Sequence, residues 1–300
     1  MKPLILISPW FGPWPAWINF FIESCKLNPE VDWLIPTDQP APENTAENVR
    51  FKTSSFDAFK KKAGAALGLD LSQMSPYKLC DLKPCLGFIH QDELKGYRSF
   101  GFCDIDVIFG DIRAVYNDQL LARFDAISAL DDRVAGHLSV FRNTRRMREY
   151  FTRIESWQDH LRNRDYVGID EDHFARVLRM PRKFRFLRRL LGPRSLFVNR
   201  YATPGGSEFW PDGQLGPSNW SWQRGRLRHE RGGEDSVYLH VMFWHSNRWR
   251  PPESGLAPWL ELDHIVQCDW REAASKGFTI SPQGIQILPA ADDRDEPRPQ

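Results

Sequence analysis

The sequence lacks the features that would put a chain in a membrane, in a secretory pathway or on nucleic acid. No stretch reaches the roughly 18 to 20 continuous apolar residues of a membrane helix. The opening run, Leu4 to Ser8, is too short for a signal-peptide core and is interrupted by Pro9. Net charge is almost absent: 40 basic against 39 acidic residues leave +1, so no long-range field collects nucleic acid, and any charge effect is local. Cysteine is sparse and odd in number, five residues without zinc spacing, which reads as reduced core thiols in a cytoplasmic chain. No internal repeat is visible.

What is there fits an ordinary globular protein, 41% hydrophobic and 26% charged, with 12 tryptophans whose faces suit sugar rings as well as cores. The first half alternates β-like runs with helical spacing, the pattern of a mostly parallel sheet flanked by helices. Strands are expected at Leu4 to Ser8, Val31 to Pro36, Val49 to Phe51, Ser99 onward into Asp104-Ile105-Asp106-Val107, Asp125 to Ser128 and Leu138 to Phe141. Helices are expected after Trp17, across Phe56 to Leu67, after Ser75-Pro76 with a break at Pro84, and after Asn143-Thr144. Beyond about residue 180 Tyr238 to Trp244 is the clearest strand in an elaboration of loops and short strands, and Ala290 to Gln300 reads as a disordered tail. One domain over 1–289 is expected, with 1–115 as its first half and 116–289 as its second.

Asp104 and Asp106 carry the most specific chemistry. Two apart in a strand, they project to one side with Ile105 turned into the packing. Carboxylates that close repel unless a positive group lies between them, and a divalent cation is the natural partner. Magnesium or manganese takes one or two carboxylates and completes its shell with water and phosphate oxygens, so such a site clamps a diphosphate at a strand end.

The segments Tyr77-Lys78-Leu79-Cys80-Asp81-Leu82-Lys83-Pro84 and Gly101-Phe102-Cys103-Asp104-Ile105-Asp106-Val107-Ile108-Phe109-Gly110-Asp111 resemble glycosyltransferases of the GT-A fold, marked by Asp-X-Asp at the end of a central strand. The opening Ile5-Leu6-Ile7-Ser8-Pro9-Trp10-Phe11-Gly12 is similar to a bacterial branch of that fold, and the resemblance runs over about residues 3 to 180. It implies a GT-A-like α/β fold and a metal-dependent transfer of a sugar from a nucleoside-diphosphate sugar, of UDP or GDP type, to a saccharide or glycolipid acceptor in cell-surface polysaccharide or lipopolysaccharide assembly. On this likeness the first half holds the nucleotide sugar and the second the acceptor.

The resemblance extends to further positions. It implies Asp104 and Asp106 as ligands of Mn2+ or Mg2+, with His240 or, behind it, His245 as a third. It implies contact with the donor by Trp10, Asp38, Lys78, Asp81, Lys83, Asp104, Gly136 and His137, and an acid among Asp170, Glu171 and Asp172 that orients or deprotonates the acceptor hydroxyl. Of these three, Asp170 suits a helix cap and Glu171 or Asp172 the working group. Each position has a plainer reading too: turn residues for Asp38 and Gly136, a solvated helix face for Lys78 to Lys83, and a core histidine for His240. The basic run Arg182 to Arg194 reads either as an exposed helix or as a peripheral contact with the inner face of a membrane. Two other functions compete. A haloacid-dehalogenase-like phosphatase shares Asp-X-Asp-Val but opens on it, whereas about three βα units precede it here. A non-catalytic carbohydrate-binding protein could keep the same shell.

Overall fold

The computed structural model describes residues 1–179, 192–199, 219–230, 235–241, 264–281 and 283–289. Its centre is a seven-stranded sheet in the order β3-β2-β1-β4-β7-β6-β8. The strands are β1 (Lys2–Ile7), β2 (Val31–Thr37), β3 (Val49–Thr53), β4 (Tyr97–Cys103), β6 (Ala126–Ser128), β7 (Leu138–Arg142) and β8 (Ser195–Phe197). Only β7 runs against the rest, so the sheet is mixed but mostly parallel, as the alternating pattern predicts.

Both faces of this sheet are covered, which is why its central strands are buried along nearly their whole length rather than on alternate residues. Ile5, Ile7, Leu34, Phe100 and Phe102 enter one core with α2 (Phe56–Leu67). Leu4, Leu6, Trp33 and Ile35 point the other way, into a core with α1 (Ile18–Lys26). Ser55 caps α2 by accepting from Ala58 N, and Gly68 ends it at φ 67°. The segment after Ser75 is a broken helix: a 3-10 turn Pro76–Lys78, α3 (Leu79–Leu82), a second 3-10 turn at Pro84, then α4 (Leu86–Ile89). Pro84 interrupts it as expected, but the Ser75 side chain makes no cap bond.

One expectation needs correction. Asp104 to Asp106 are not in a strand: β4 stops at Cys103, the two acids lie in a bend, and β5 (Val107–Phe109) starts a separate two-stranded ribbon with β11 (Tyr238–His240). The second half holds short strands, as expected there, and four of them make a sheet of their own. β9 (Trp220–Gln223), β10 (Arg226–His229), β12 (Phe278–Ser281) and β13 (Gly284–Ile287) form an antiparallel sheet in the order β10-β9-β12-β13. Its aromatic face, with Trp220, Trp222 and Phe278, shares a third core with Trp17 and Phe20 at α1 and Ile108 of β5. The Arg182 to Leu191 part of the basic run, His245 and the tail Ala290 to Gln300 lie outside the described residues. Among the described residues, no helix is long and apolar enough to cross a membrane.

Candidate metal site

The strand order brings Trp10, Asp38, Asp104, Gly136 and His137 to one edge of the sheet. β1, β2 and β4 are parallel neighbours, so the residues after them, Trp10, Asp38 and Asp104, all leave from their carboxyl ends. β7 runs the other way, so Gly136 and His137, which precede it, open at the same edge, with Leu138 opposite Cys103. Asp38 is exposed and accepts Gly12 N at 2.9 Å, tying the loop after β2 to the loop after β1. Trp10 is half-buried and its indole donates to Gly12 O and Pro13 O, both at 3.1 Å.

The acidic bend is held from three directions. His137 O accepts from Asp104 N at 3.3 Å, and Asp106 O accepts from Val241 N at 2.8 Å. The buried Trp17 indole donates to Ile105 O at 3.0 Å. The ribbon register sets His240 opposite Val107, the residue after Asp106. As a result Asp104, Asp106 and His240 each offer a ligand atom within 4.8 Å of the others.

This donor set fits a hard to borderline divalent cation. Two carboxylates suit manganese or magnesium and the imidazole favours the former, and an octahedral ion with bonds of about 2.1 Å spaces its donors about 3 Å (cis) to about 4.2 Å (trans) apart. His240 Nε2 stands 3.4 Å from Asp106 Oδ2, close to a cis spacing. Burial works against charge on His240, but Asp106 facing it overcomes that and raises its pKa above the ordinary histidine value. His137 stacks on His240 with ring centroids 4.4 Å apart and shares a 2.9 Å hydrogen bond with the Tyr238 hydroxyl. Burial and the neighbouring His240 push the pKa of His137 well below the usual value, so it is a neutral ring that supports the histidine beside it.

A row of charges runs on from Asp104. Lys83 Nζ lies 2.7 Å from Asp104 Oδ1 and 3.8 Å from Asp170 Oδ2, with little exposure. Burial opposes its charge, yet Asp104 and Asp170 overcome that and hold the ammonium well above the ordinary lysine value. Although a third of the Asp104 side chain is open, the protein around it pushes its carboxyl up, with Lys83 acting in the other direction. Asp170, 2% exposed, is pushed up to about 7, chiefly by burial. Glu171 is also raised by burial, against the pull of Arg133 and Lys83. A side chain at Gly136 would start 3.2 Å from Asp170 Oδ2 and Glu171 Oε1 and 3.3 Å from Lys83 Nζ, so the glycine keeps space at this cluster.

Three expected roles change. Lys78 and Asp81, expected to reach the donor, are 0% exposed and paired with each other at 2.9 Å. Asp81 also accepts from Val167 N and Ile169 N, and Lys78 donates to His160 O and Asp165 O. Together they fasten the loop that carries Asp170. Asp170 is not a cap: the π-helical turn Ile169–His173 has Gly168 at its cap position, φ 79°, and the Asp170 side chain turns inward to Lys83 and to the Tyr166 hydroxyl at 3.1 Å. Asp172 is exposed, leaving Glu171 beside the cluster. Sequence reasoning missed Tyr166 and the supporting role of His137, because both depend on contacts between distant segments.

No curated protein matches the chain. Among solved structures it is similar to the galactosyltransferase LgtC in complex with donor and acceptor sugar analogs, at 10% identity and a TM-score of 0.39, covering 89% of this chain and 99% of that one. It is also similar to the glycosyltransferase GlyE of Streptococcus pneumoniae TIGR4, at 10% identity and a TM-score of 0.43, covering 91% of this chain and 62% of that one. Residues 6–192 match the model of a family of unknown function, DUF6625, and the chain belongs to that family.

Proposed function

We propose that the protein is a glycosyltransferase of the hexosyl-transferring kind, moving a sugar from a nucleoside-diphosphate sugar to a saccharide or glycolipid acceptor. One observation carries this reading: Asp104, Asp106 and His240 converge at the carboxyl edge of a parallel sheet, next to a buried, charged Lys83. Open α/β sheets bind ligands at that edge. A divalent cation bound by the three ligands would neutralise charge on a departing diphosphate.

The chain's own groups supply the rest. Lys83 holds Asp104 in place and adds a fixed positive charge beside the phosphate position. Asp38 and Trp10, on loops at the same edge, are suited to the nucleoside end. Glu171, partly exposed, is suited to orient an acceptor hydroxyl and take its proton, and its raised pKa brings it nearer to neutral poise. Asp170 positions Lys83 rather than meeting the acceptor. A cytoplasmic setting and a role in cell-surface saccharide assembly accompany this reading.

The test is binding. UDP or GDP should raise the melting temperature only when Mn2+ is present, because a ligand held by the native state stabilises it. Asp106→Ala and His240→Ala should each remove that shift while the unliganded protein still folds. A nucleotide shift that survives chelation and both substitutions would overturn the metal-dependent assignment. Release of phosphate from an aryl phosphate through a phosphorylated Asp104 would instead favour the phosphatase alternative.

A further inference from the structure

Asp170, Tyr166 and Tyr77 extend the site beyond Lys83. Tyr77 is 50% exposed; among the described residues the other exposed large hydrophobics are Met1 and Leu27. Its ring meets that of Tyr166 edge to face, with centroids 5.2 Å apart. Tyr166 in turn donates its hydroxyl to Asp170, which faces Lys83, which holds Asp104. A continuous row thus leads from the acidic bend to an aromatic face at the surface.

A lone exposed tyrosine is ordinary and needs no function. This one differs in being held rigidly. It lies between Pro76, which fixes the start of the 3-10 turn, and Lys78, which is fully buried and bonded on three sides. Ser75 adds a bond to Arg164 O at 3.2 Å, joining this turn to the loop that leads to Tyr166. The tyrosine also responds to the charged row. Its hydroxyl is pushed up to about 12, mainly by burial, and Lys83, Asp170 and Asp104 all act on it.

We propose that the Tyr77 ring, propped by Tyr166, is a platform on which a hexose ring of the substrate stacks, its hydroxyls turned toward Glu171 and Lys83. A pyranose has one face of polarised C–H groups and a polar rim. The negative face of an aromatic ring complements the former, and charged side chains beside it satisfy the latter. The platform stands at the opposite end of the row from the cation ligands, where a sugar rather than a diphosphate belongs. The identity of the ligand as a sugar rests on the transferase reading; the stacking geometry does not.

The test uses the full chain with Mn2+, titrated calorimetrically with UDP and GDP, then UDP-glucose, UDP-galactose and GDP-mannose, and finally free lactose with UDP present. Tyr77→Phe and Tyr77→Leu are compared with wild type, their folding checked by melting temperature. The leucine variant keeps apolar bulk but loses the flat ring. It should bind the sugar-bearing ligand about fivefold to tenfold more weakly, while the phenylalanine variant and the affinity for UDP or GDP stay within about twofold. Loss with a nucleotide sugar assigns the platform to the donor ring, and loss with lactose assigns it to the acceptor ring. Equal binding by Tyr77→Leu overturns the proposal, as does the absence of any sugar binding when UDP or GDP binds normally, and the transferase reading survives both results. Lactose binding that depends on Tyr77 without any nucleotide binding would keep the platform and sink the transferase. If neither class of ligand binds, both fall.

Discussion

Among single residues, Asp170 has the clearest thermodynamic signature. Its folded-state pKa, about 7, exceeds the ordinary aspartate value because burial penalises the anion. The folded protein therefore keeps this proton where the unfolded chain has released it. The associated stability is fully present below the ordinary aspartate range and is lost as pH rises through about 7. Without divalent cations, urea unfolding of the wild type should lose up to about 4 kcal/mol between pH 4 and 8 relative to Asp170→Asn. Parallel pH profiles for the two proteins would contradict the burial argument. Lys78 makes a second case. Its ammonium is 0% exposed against an equally buried Asp81, so Lys78→Met leaves a carboxylate short of its counter-charge. Removing one partner of such a pair costs about 3–5 kcal/mol, readable as a lower urea midpoint. The types and spacing of Lys78, Asp81 and Lys83 were visible in the sequence. Which of them faced inward was not, because a helix broken into 3-10 and α turns does not present residues at regular angles.

Among elements, the β5–β11 ribbon decides whether the third ligand reaches the acidic pair. Gly110 follows β5, and a Cβ there would meet Ser236 O at 2.2 Å, in the segment leading into β11. Gly110→Ala should therefore shift β11 and weaken Mn2+ binding, seen by titration, while the seven-stranded sheet stays folded by circular dichroism. Undiminished Mn2+ affinity would show that the ribbon does not set the position of His240. The Asp-X-Asp signal was legible in sequence, but its geometry was read from strand alternation. The chain instead bends there, and the indoles of Trp17 and Trp222 accommodate the departing backbone by bonding to Ile105 O and Phe109 O. His240 was reachable only through family resemblance. A lone histidine on a three-residue strand has no periodic signal, and its register against Val107 is a long-range fact.

For the whole molecule, the family match ends at residue 192, short of His240 and of the β9–β13 strands. Those later strands cover Trp17, Phe20 and Ile108, so the two parts share a core rather than standing side by side. A chain ending at residue 199 should expose that apolar face, aggregate or bind hydrophobic dye, and lose Mn2+-dependent nucleotide binding. A monodisperse, dye-negative fragment would argue that the first part is self-sufficient. The α/β core was legible because its strands and helices alternate with strong periodicity. The later sheet was not, since its strands have four residues each, although Trp220-Ser221-Trp222 and Phe278-Thr279-Ile280 carry the two-residue alternation that could have revealed them. The Trp17 bond to Ile105 also gives the protein a built-in optical gauge. An occupant that tightens the acidic bend pulls on an indole sealed among aromatic neighbours, so its arrival should register in the emission of that one indole among 12, without any added label.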